Sequence, residues 1–271
     1  MKAAIDAFGI TDRGKVRQSN QDNFLIVEIK KSVNLLHCSL APEATSGRFG
    51  SAAAHLFVVA DGVGGGPEGE RASEDTIAAL LKYVGETVGC FNASSTSKEH
   101  ELFARLEQTV NEVHENLVET SGPGGQGPAT TLTMILLIWP RAYLVHVGDS
   151  RAYVRRNGKV QQLTSDQTFG EYMVTLGAWT EEQAAQSRPG ATLTSAVGGS
   201  QFQPVVGLID LEPGNSLMLC TDGLTKHVPD ERVAAVLGES KSSEAACRTL
   251  LADALEGGGT DNISVIVVRT S

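Results

Sequence analysis

A short continuous apolar run stands at residues 56–60 (LFVVA), and similar, largely apolar runs recur at 131–138, 216–220 and 262–268. Runs of this length, rich in β-branched residues and bounded by turn formers, predict strands buried on both faces. Residues 24–29, 141–147 and 152–155 have the same character. Pro140-Arg141 reads as a turn. Asn157-Gly158, between YVRR and KVQQL, is the stronger hairpin signal, because both residues tolerate positive φ.

Two longer segments switch to helical spacing. Residues 73–88 line up Ile77, Leu80, Leu81 and Val84; residues 99–119 line up Leu102, Phe103, Leu106, Val110, Val113 and Leu117. The second should stop at the glycine-rich 121–125. Later helices are expected at 231–237 and 243–255, with helical patches at 168–176 and 181–185. Strands cluster, then helices, then hairpins, then helices again, an order that favours an α+β class with antiparallel sheet over a doubly wound parallel one. Residues 32–54 read as an irregular loop excursion. No repeat or linker divides the chain, so one domain is expected over 1–271.

Charge narrows the choice of function. The 22 basic residues against 32 acidic ones leave a net −10, which argues against a general nucleic-acid binder. It leaves room for a phosphate-bearing substrate if a metal supplies the missing positive charge. Cys38, Cys90, Cys220 and Cys247 form no CxxC pair and read as buried free thiols. There is no apolar signal segment and no run of ~18 apolar residues, so a cytoplasmic protein away from the membrane is expected. The six histidines share no ligand spacing. His100 and His114 read as solvated, and His146 as structural. HExxH, Walker, GxSxG and convincing dinucleotide-binding patterns are absent.

The aspartates carry the chemical signal. LFVVA runs into Asp61-Gly62, LVHVG into Asp149-Ser150-Arg151, and LMLCT into Asp222-Gly223; Asp22 precedes one strand and Asp261-Asn262 opens another. Asp-Gly after a strand is common turn chemistry and would explain any one of them. Five acids in the same setting, with Arg17 and Arg151 as the evident basic partners, point instead to a carboxylate site for a hard divalent cation.

In chain order, RQSNQD (17–22), VVADGVGG (58–65), ATTL (129–132), VGDSRAY (147–153), LTSD (163–166), LTSAVG (193–198), LCTDGL (219–224) and GTDNISVIVV (259–268) resemble the metal-dependent protein serine/threonine phosphatases, the PPM or type 2C family, in its compact bacterial form. The resemblance spans nearly the whole chain. It implies a four-layer αββα sandwich, two packed antiparallel sheets flanked by helix pairs, with a flap at about 165–189. It implies two Mn²⁺ or Mg²⁺ ions and a weaker third, with phosphoserine and phosphothreonine hydrolysed by a metal-bridging water. Asp61 would bridge the ions, Gly62 lend its carbonyl, and Asp222 and Asp261 complete the first ion's ligands. Asp149 would serve the third ion, Asp22 would act through water, and Arg17 would hold the substrate phosphate. Gln21 and Asn262 would support these groups. The implied partners are phosphorylated proteins, targets of a Ser/Thr kinase, with a monomer as the default state.

The chain departs from the family pattern at four places. Gln21 stands where the family often has Glu, and Val63, Gly66 and Gln167 where it often has His. These departures motivate an alternative, a non-catalytic phosphoprotein-binding module on the same fold. A phosphatase of small phosphate esters is a third reading, because a metal pair and an arginine recognise phosphate rather than its leaving group.

Overall fold

The computed structural model describes residues 4–30, 52–64, 67–87, 96–120 and 127–271. Most of the expected 32–54 excursion, the glycine stop at 121–125, Gly66, Cys38 and Cys90 lie outside the described residues.

Strands β1 (Ile5–Asp12), β2 (Asp22–Lys30) and β3 (Ala52–Val63) come first, followed by helices α1 (Pro67–Thr87) and α2 (Thr96–Glu119). Then come β4 (Ala129–Thr130), β5 (Leu132–Ile138), β6 (Arg141–Val147), β7 (Arg151–Arg156) and β8 (Lys159–Gln162). Two short helices, α3 (Phe169–Thr175) and α4 (Glu181–Gln186), precede β9 (Val205–Asp210) and β10 (Ser216–Cys220). Helices α5 (Asp222–Thr225), α6 (Asp230–Glu239) and α7 (Ser243–Glu256) lead into β11 (Ile263–Thr270). One sheet has the order β1-β11-β10-β7-β8 and the other β2-β3-β5-β6-β9, with β4 beside the end of β3. All the pairings are antiparallel.

The unbroken apolar runs follow from burial on both faces. Phe57, Val59, Ile135, Leu137, Leu217, Leu219, Ile266 and Val268 meet between the sheets. The alternate residues of the same strands face the helices. Leu56, Val58, Met134 and Leu136 pack with Leu80 of α1 and Leu106 and Val110 of α2. Met218, Cys220, Val265 and Val267 pack with Val233 of α6 and Leu250 of α7. A period of two on each strand thus fills three apolar layers, and the four-layer sandwich follows. At the β7–β8 hairpin Asn157 and Gly158 take φ of 49° and 78°, as its two-residue turn requires.

Besides the two-residue β4, two strands escape the pattern reading. β1 is only half-buried, and its apolar residues are interrupted by Asp6, Gly9 and Thr11. β9 lies at a sheet edge and exposes Val205, Val206 and Leu208, so its apolar residues do not mark a core face. β3 also corrects an expectation: it does not end before Asp61-Gly62 but continues to Val63, because β4 pairs with Gly62 and Val63. His114 is only partly solvated. Its ring stacks on Phe202 at 4.1 Å, and its Nδ1 accepts the Gly198 N–H at 3.0 Å. Cys220 and Cys247 are buried free thiols, and burial pushes both up to about 12.

The segment from Gln167 to Thr194 closes on itself. Phe169 N–H donates to the Thr192 carbonyl and Thr194 N–H to the Gln167 carbonyl, both at 2.8 Å. Its helices stand over a cavity of about 370 Å³ lined by Tyr172, Thr175, His146 and Val205, among others. His146 fixes the root of this segment. The Ser165 carbonyl can only accept, so Nε2 donates to it, at 3.1 Å, while Nδ1 faces the Thr133 hydroxyl at 2.9 Å.

Burial lowers the His146 pKa from its ordinary 6.5, against a smaller opposing effect of the Ser165 hydrogen bond. Below about 6.5 the unfolded chain therefore takes up a proton that the folded ring resists, and stability falls as the solution is acidified. Melting curves between pH 7.5 and 5 should show a shallower acid loss for His146→Gln than for the parent chain. Equal slopes would remove His146 as a source of the loss.

Candidate active site

Asp22 and Asp61 are directly opposed in the β2–β3 register. Such cross-strand pairs bring side chains within contact range, and like charges placed there destabilise the sheet. The end of β10 joins this pair from the other sheet. The Thr221 hydroxyl donates to Asp22 Oδ2 at 2.7 Å and accepts the Ser264 N–H at 2.9 Å. Asp222 follows as the first residue of α5. A Cβ on Gly223 would stand 1.9 Å from the Asn262 carbonyl, so only glycine lets α5 approach the start of β11 this closely. That approach sets Asp222 beside Asp261. Gly62 plays the same part at the other junction, where a Cβ would lie 2.2 Å from the Gly69 carbonyl. Asp149 sits in the β6–β7 turn. The preceding Gly148 donates its N–H to Gln167 Oε1 at 2.7 Å, and Gln167 Nε2 donates to the Gln203 carbonyl at 2.8 Å.

Asn262 holds the loop that carries Arg17. Its Oδ1 accepts the Gln21 N–H, and its Nδ2 donates to the Arg13 and Ser19 carbonyls, each at 2.9 Å. Gln21 is buried. Its carbonyl accepts the Ser73 hydroxyl at 2.7 Å and the Gly62 N–H at 3.2 Å, and its side-chain amide lies against Gly69.

The electrostatics are those of crowded carboxylates. Burial, then repulsion from Asp22, Asp222, Asp149 and Asp261, pushes the Asp61 carboxyl well above its ordinary range. Burial raises Asp149 to about 8, with Asp222 and Asp166 adding to it. Burial raises Asp22 to about 7, although Thr221 and Ser264 donate to it. Asp222 is also raised by burial, against the opposing charge of Lys226. Asp261 is the exception: burial pushes it up, but hydrogen bonds from Arg17 and Lys226 outweigh this and hold it below the usual carboxylate range.

Arg17 does not stand with an open fork. Its Nε meets Asp261 Oδ1 at 2.7 Å and a terminal nitrogen meets Oδ2 at 2.8 Å. Arg151, the other expected basic partner, is clamped on Asp166 at 2.7 and 2.8 Å and serves none of the five acids. The residue missed by sequence reasoning is Lys226. Its ammonium lies 2.5 Å from Asp222 Oδ2 and 2.8 Å from Asp261 Oδ2. The available signal was the i, i+4 spacing from Asp222, which puts both on one side of a helical turn.

Five carboxylates thus share two cations, and both cations sit at the Asp222–Asp261 end. Asp22 Oδ1 and Asp222 Oδ1 are buried without a hydrogen-bond partner. Oxygen donors left unpaired among partly neutralised carboxylates fit a hard divalent ion. Among the described residues no three His, Cys, Asp or Glu side chains are arranged to hold an ion as they stand. Asp222 and Asp261 are turned to Lys226 and Arg17 instead.

Comparisons with known proteins identify the family and the fold. Residues 44–256 match the family model described as protein phosphatase 2C. The serine/threonine protein phosphatase PstP of Mycobacterium tuberculosis is 33% identical over 260 residues; the match covers 95% of this chain and 43% of that relative's length. The solved serine/threonine phosphatase of S. agalactiae superposes with a TM-score of 0.80 at 27% identity, covering 98% of this chain and 99% of the other. The catalytic domain of PstP, solved in complex with 2 manganese ions, superposes with a TM-score of 0.76 at 28% identity, covering 99% of each chain. With the carboxylates gathered at one end of a matching sandwich, the chain belongs to the protein phosphatase 2C family.

Proposed function

We propose that this chain is a metal-dependent protein serine/threonine phosphatase acting on phosphoserine and phosphothreonine in proteins. The observation that carries this reading is the undercompensated carboxylate cluster, with two buried oxygens unpaired. Asp61, Asp222 and Asp261 would hold the ions with the Gly62 carbonyl, Asp22 would act through water, and Asp149 would serve a weaker third ion. When bound, a pair of Mn²⁺ or Mg²⁺ ions supplies an activated water nucleophile and positive charge for the phosphoryl oxygens.

The chain's own residues orient the substrate. Arg17 offers a planar fork that matches phosphate geometry. Half of its side chain is exposed, so the fork can exchange Asp261 for a substrate oxygen without a fold change. Asn262 fixes the loop that sets the reach of Arg17, and Gln21 closes that loop against α1. Residues 165–189 act as a flap of the single domain 1–271. The Gln167 hydrogen bond to Gly148 supports this, since it joins the flap root to the turn bearing Asp149. Among the described residues no helix is long and apolar enough to cross a membrane, and the acidic surface suits phosphoprotein targets of a Ser/Thr kinase better than nucleic acid. A cytoplasmic monomer completes the reading.

The pairing of Asp222 and Asp261 with Lys226 and Arg17 favours a second reading, a non-catalytic phosphoprotein-binding module. Phosphate release from a phosphothreonine peptide decides between them. Turnover is expected with Mn²⁺ or Mg²⁺ and none with EDTA. No turnover by folded protein with either metal would transfer the assignment to the binding module. Faster release from sugar or nucleotide phosphates than from phosphopeptides would move it to small esters.

Two variants follow. Arg17→Ala should lower kcat/KM by about 10²-fold, the scale seen on removing one donor to a transferring group. Asp61→Asn should abolish turnover yet raise the Tm in EDTA by about 2–4 °C for each kcal/mol of repulsion relieved. In Mn²⁺ the parent chain should gain stability and Asp61→Asn should not. A lower Tm for Asp61→Asn in EDTA would show that the carboxylate is not under repulsion.

A further inference from the structure

The Asp222–Asp261 pair already holds a cation of its own. Lys226 directly follows α5, and its N–H donates to the Asp222 carbonyl at 2.9 Å, so the backbone sets its side chain over Asp222. His227 pins the same segment to the other acid's loop: its Nε2 accepts the Thr260 N–H at 3.1 Å and lies 2.8 Å from the Thr260 hydroxyl. Between these anchors the ammonium touches Asp222 Oδ2 and Asp261 Oδ2 together. A monovalent cation between two carboxylate oxygens stands on the donors that a divalent ion would need. An ammonium seated there takes up lone pairs that the ion would use and repels it by charge.

We propose that Lys226 is a built-in competitor for the metal, so that loading of this site requires its ammonium to leave Asp222 and Asp261. This rests on the metal-dependent reading above. The geometry allows the exchange. Lys226 has a flexible four-carbon stem and 40% side-chain exposure, so it can swing into water without disturbing the backbone anchors. Asp222 Oδ1, buried and unpaired, is the oxygen from which an incoming ion would begin. Arg17 shares Asp261 but makes no contact with Asp222, which leaves Lys226 as the group that ties the two acids together. The consequence is a site that loads only where divalent metal is abundant enough to displace an internal charge.

The test is calorimetric titration of Mn²⁺ into the parent chain, Lys226→Met and Lys226→Arg. Lys226→Met should bind Mn²⁺ about tenfold more tightly, the lower end of what groups touching metal ligands command, while Lys226→Arg, which keeps a cation, should stay near the parent. Affinity in folded Lys226→Met that is unchanged or weaker would overturn the proposal. Removing the lysine leaves Asp222 without a cation, while Asp261 keeps Arg17, and could impair folding, so a second measurement uses the parent chain alone. Brief acylation of its lysines, read by mass spectrometry with and without Mn²⁺, should show Lys226 becoming more reactive when metal is added. Reactivity that stays constant or falls, in protein that binds Mn²⁺, would overturn the proposal. If neither the parent nor a folded Lys226→Met binds Mn²⁺, the metal-dependent reading itself fails and takes this proposal with it.

Discussion

Repulsion among buried carboxylates is the constraint around which this molecule is built. Asp22 faces Asp61 across a strand pair, and Asp149, Asp222 and Asp261 raise the cost of ionising Asp61 further. Strand ends not held by a core would relax by turning these side chains outward. Here the ends of β2, β3 and β10 are fixed by three apolar layers that run the length of the sandwich, so the acids cannot separate. The core thus supplies the stability that the site consumes, the usual relation where a functional site breaks the local rules of a fold.

The local devices that hold the acids together are backbone devices. Gly223 and Gly62 allow main chains to approach to distances that any Cβ would block. Asn262 spends all three of its side-chain hydrogen bonds on a loop more than two hundred residues away in sequence, and that loop brings Arg17 to Asp261. Thr221 links the two sheets through Asp22 and Ser264. None of these side chains carries a charge, yet each fixes an angle or a reach that the charged groups need.

Much of this was legible in the sequence, because two-face burial writes itself as unbroken apolar runs and because an acid at a strand end stands out. The central strands and the long helices were readable for that reason. β1 and β9 were not, since a half-buried strand and an exposed edge strand carry no clean alternation. His114 was misread because its partner Phe202 lies in an irregular segment that periodicity does not reach. Lys226 escaped for a different reason. α5 is a single turn of four residues, too short for a helical pattern, so the spacing that pairs Lys226 with Asp222 did not register as a pair.

Gln21 and Lys226 act in the same direction. A glutamate at position 21 would place a further carboxylate against Gly69 beside Gly62, in a cluster where five acids already share two cations; glutamine keeps the shape and the oxygen and omits the charge. Lys226 adds a positive charge at the other end of the same cluster. Each change lowers the negative charge that an approaching ion would meet, and each lowers the repulsion that the fold must withstand without one. Hard cations are held chiefly by ligand charge and number, so on the metal-dependent reading proposed above the same two residues that ease folding would also weaken the grip on metal. On that reading the site would favour reversible loading over permanent occupancy, and the balance would rest on two side chains that lie outside the core set of aspartates.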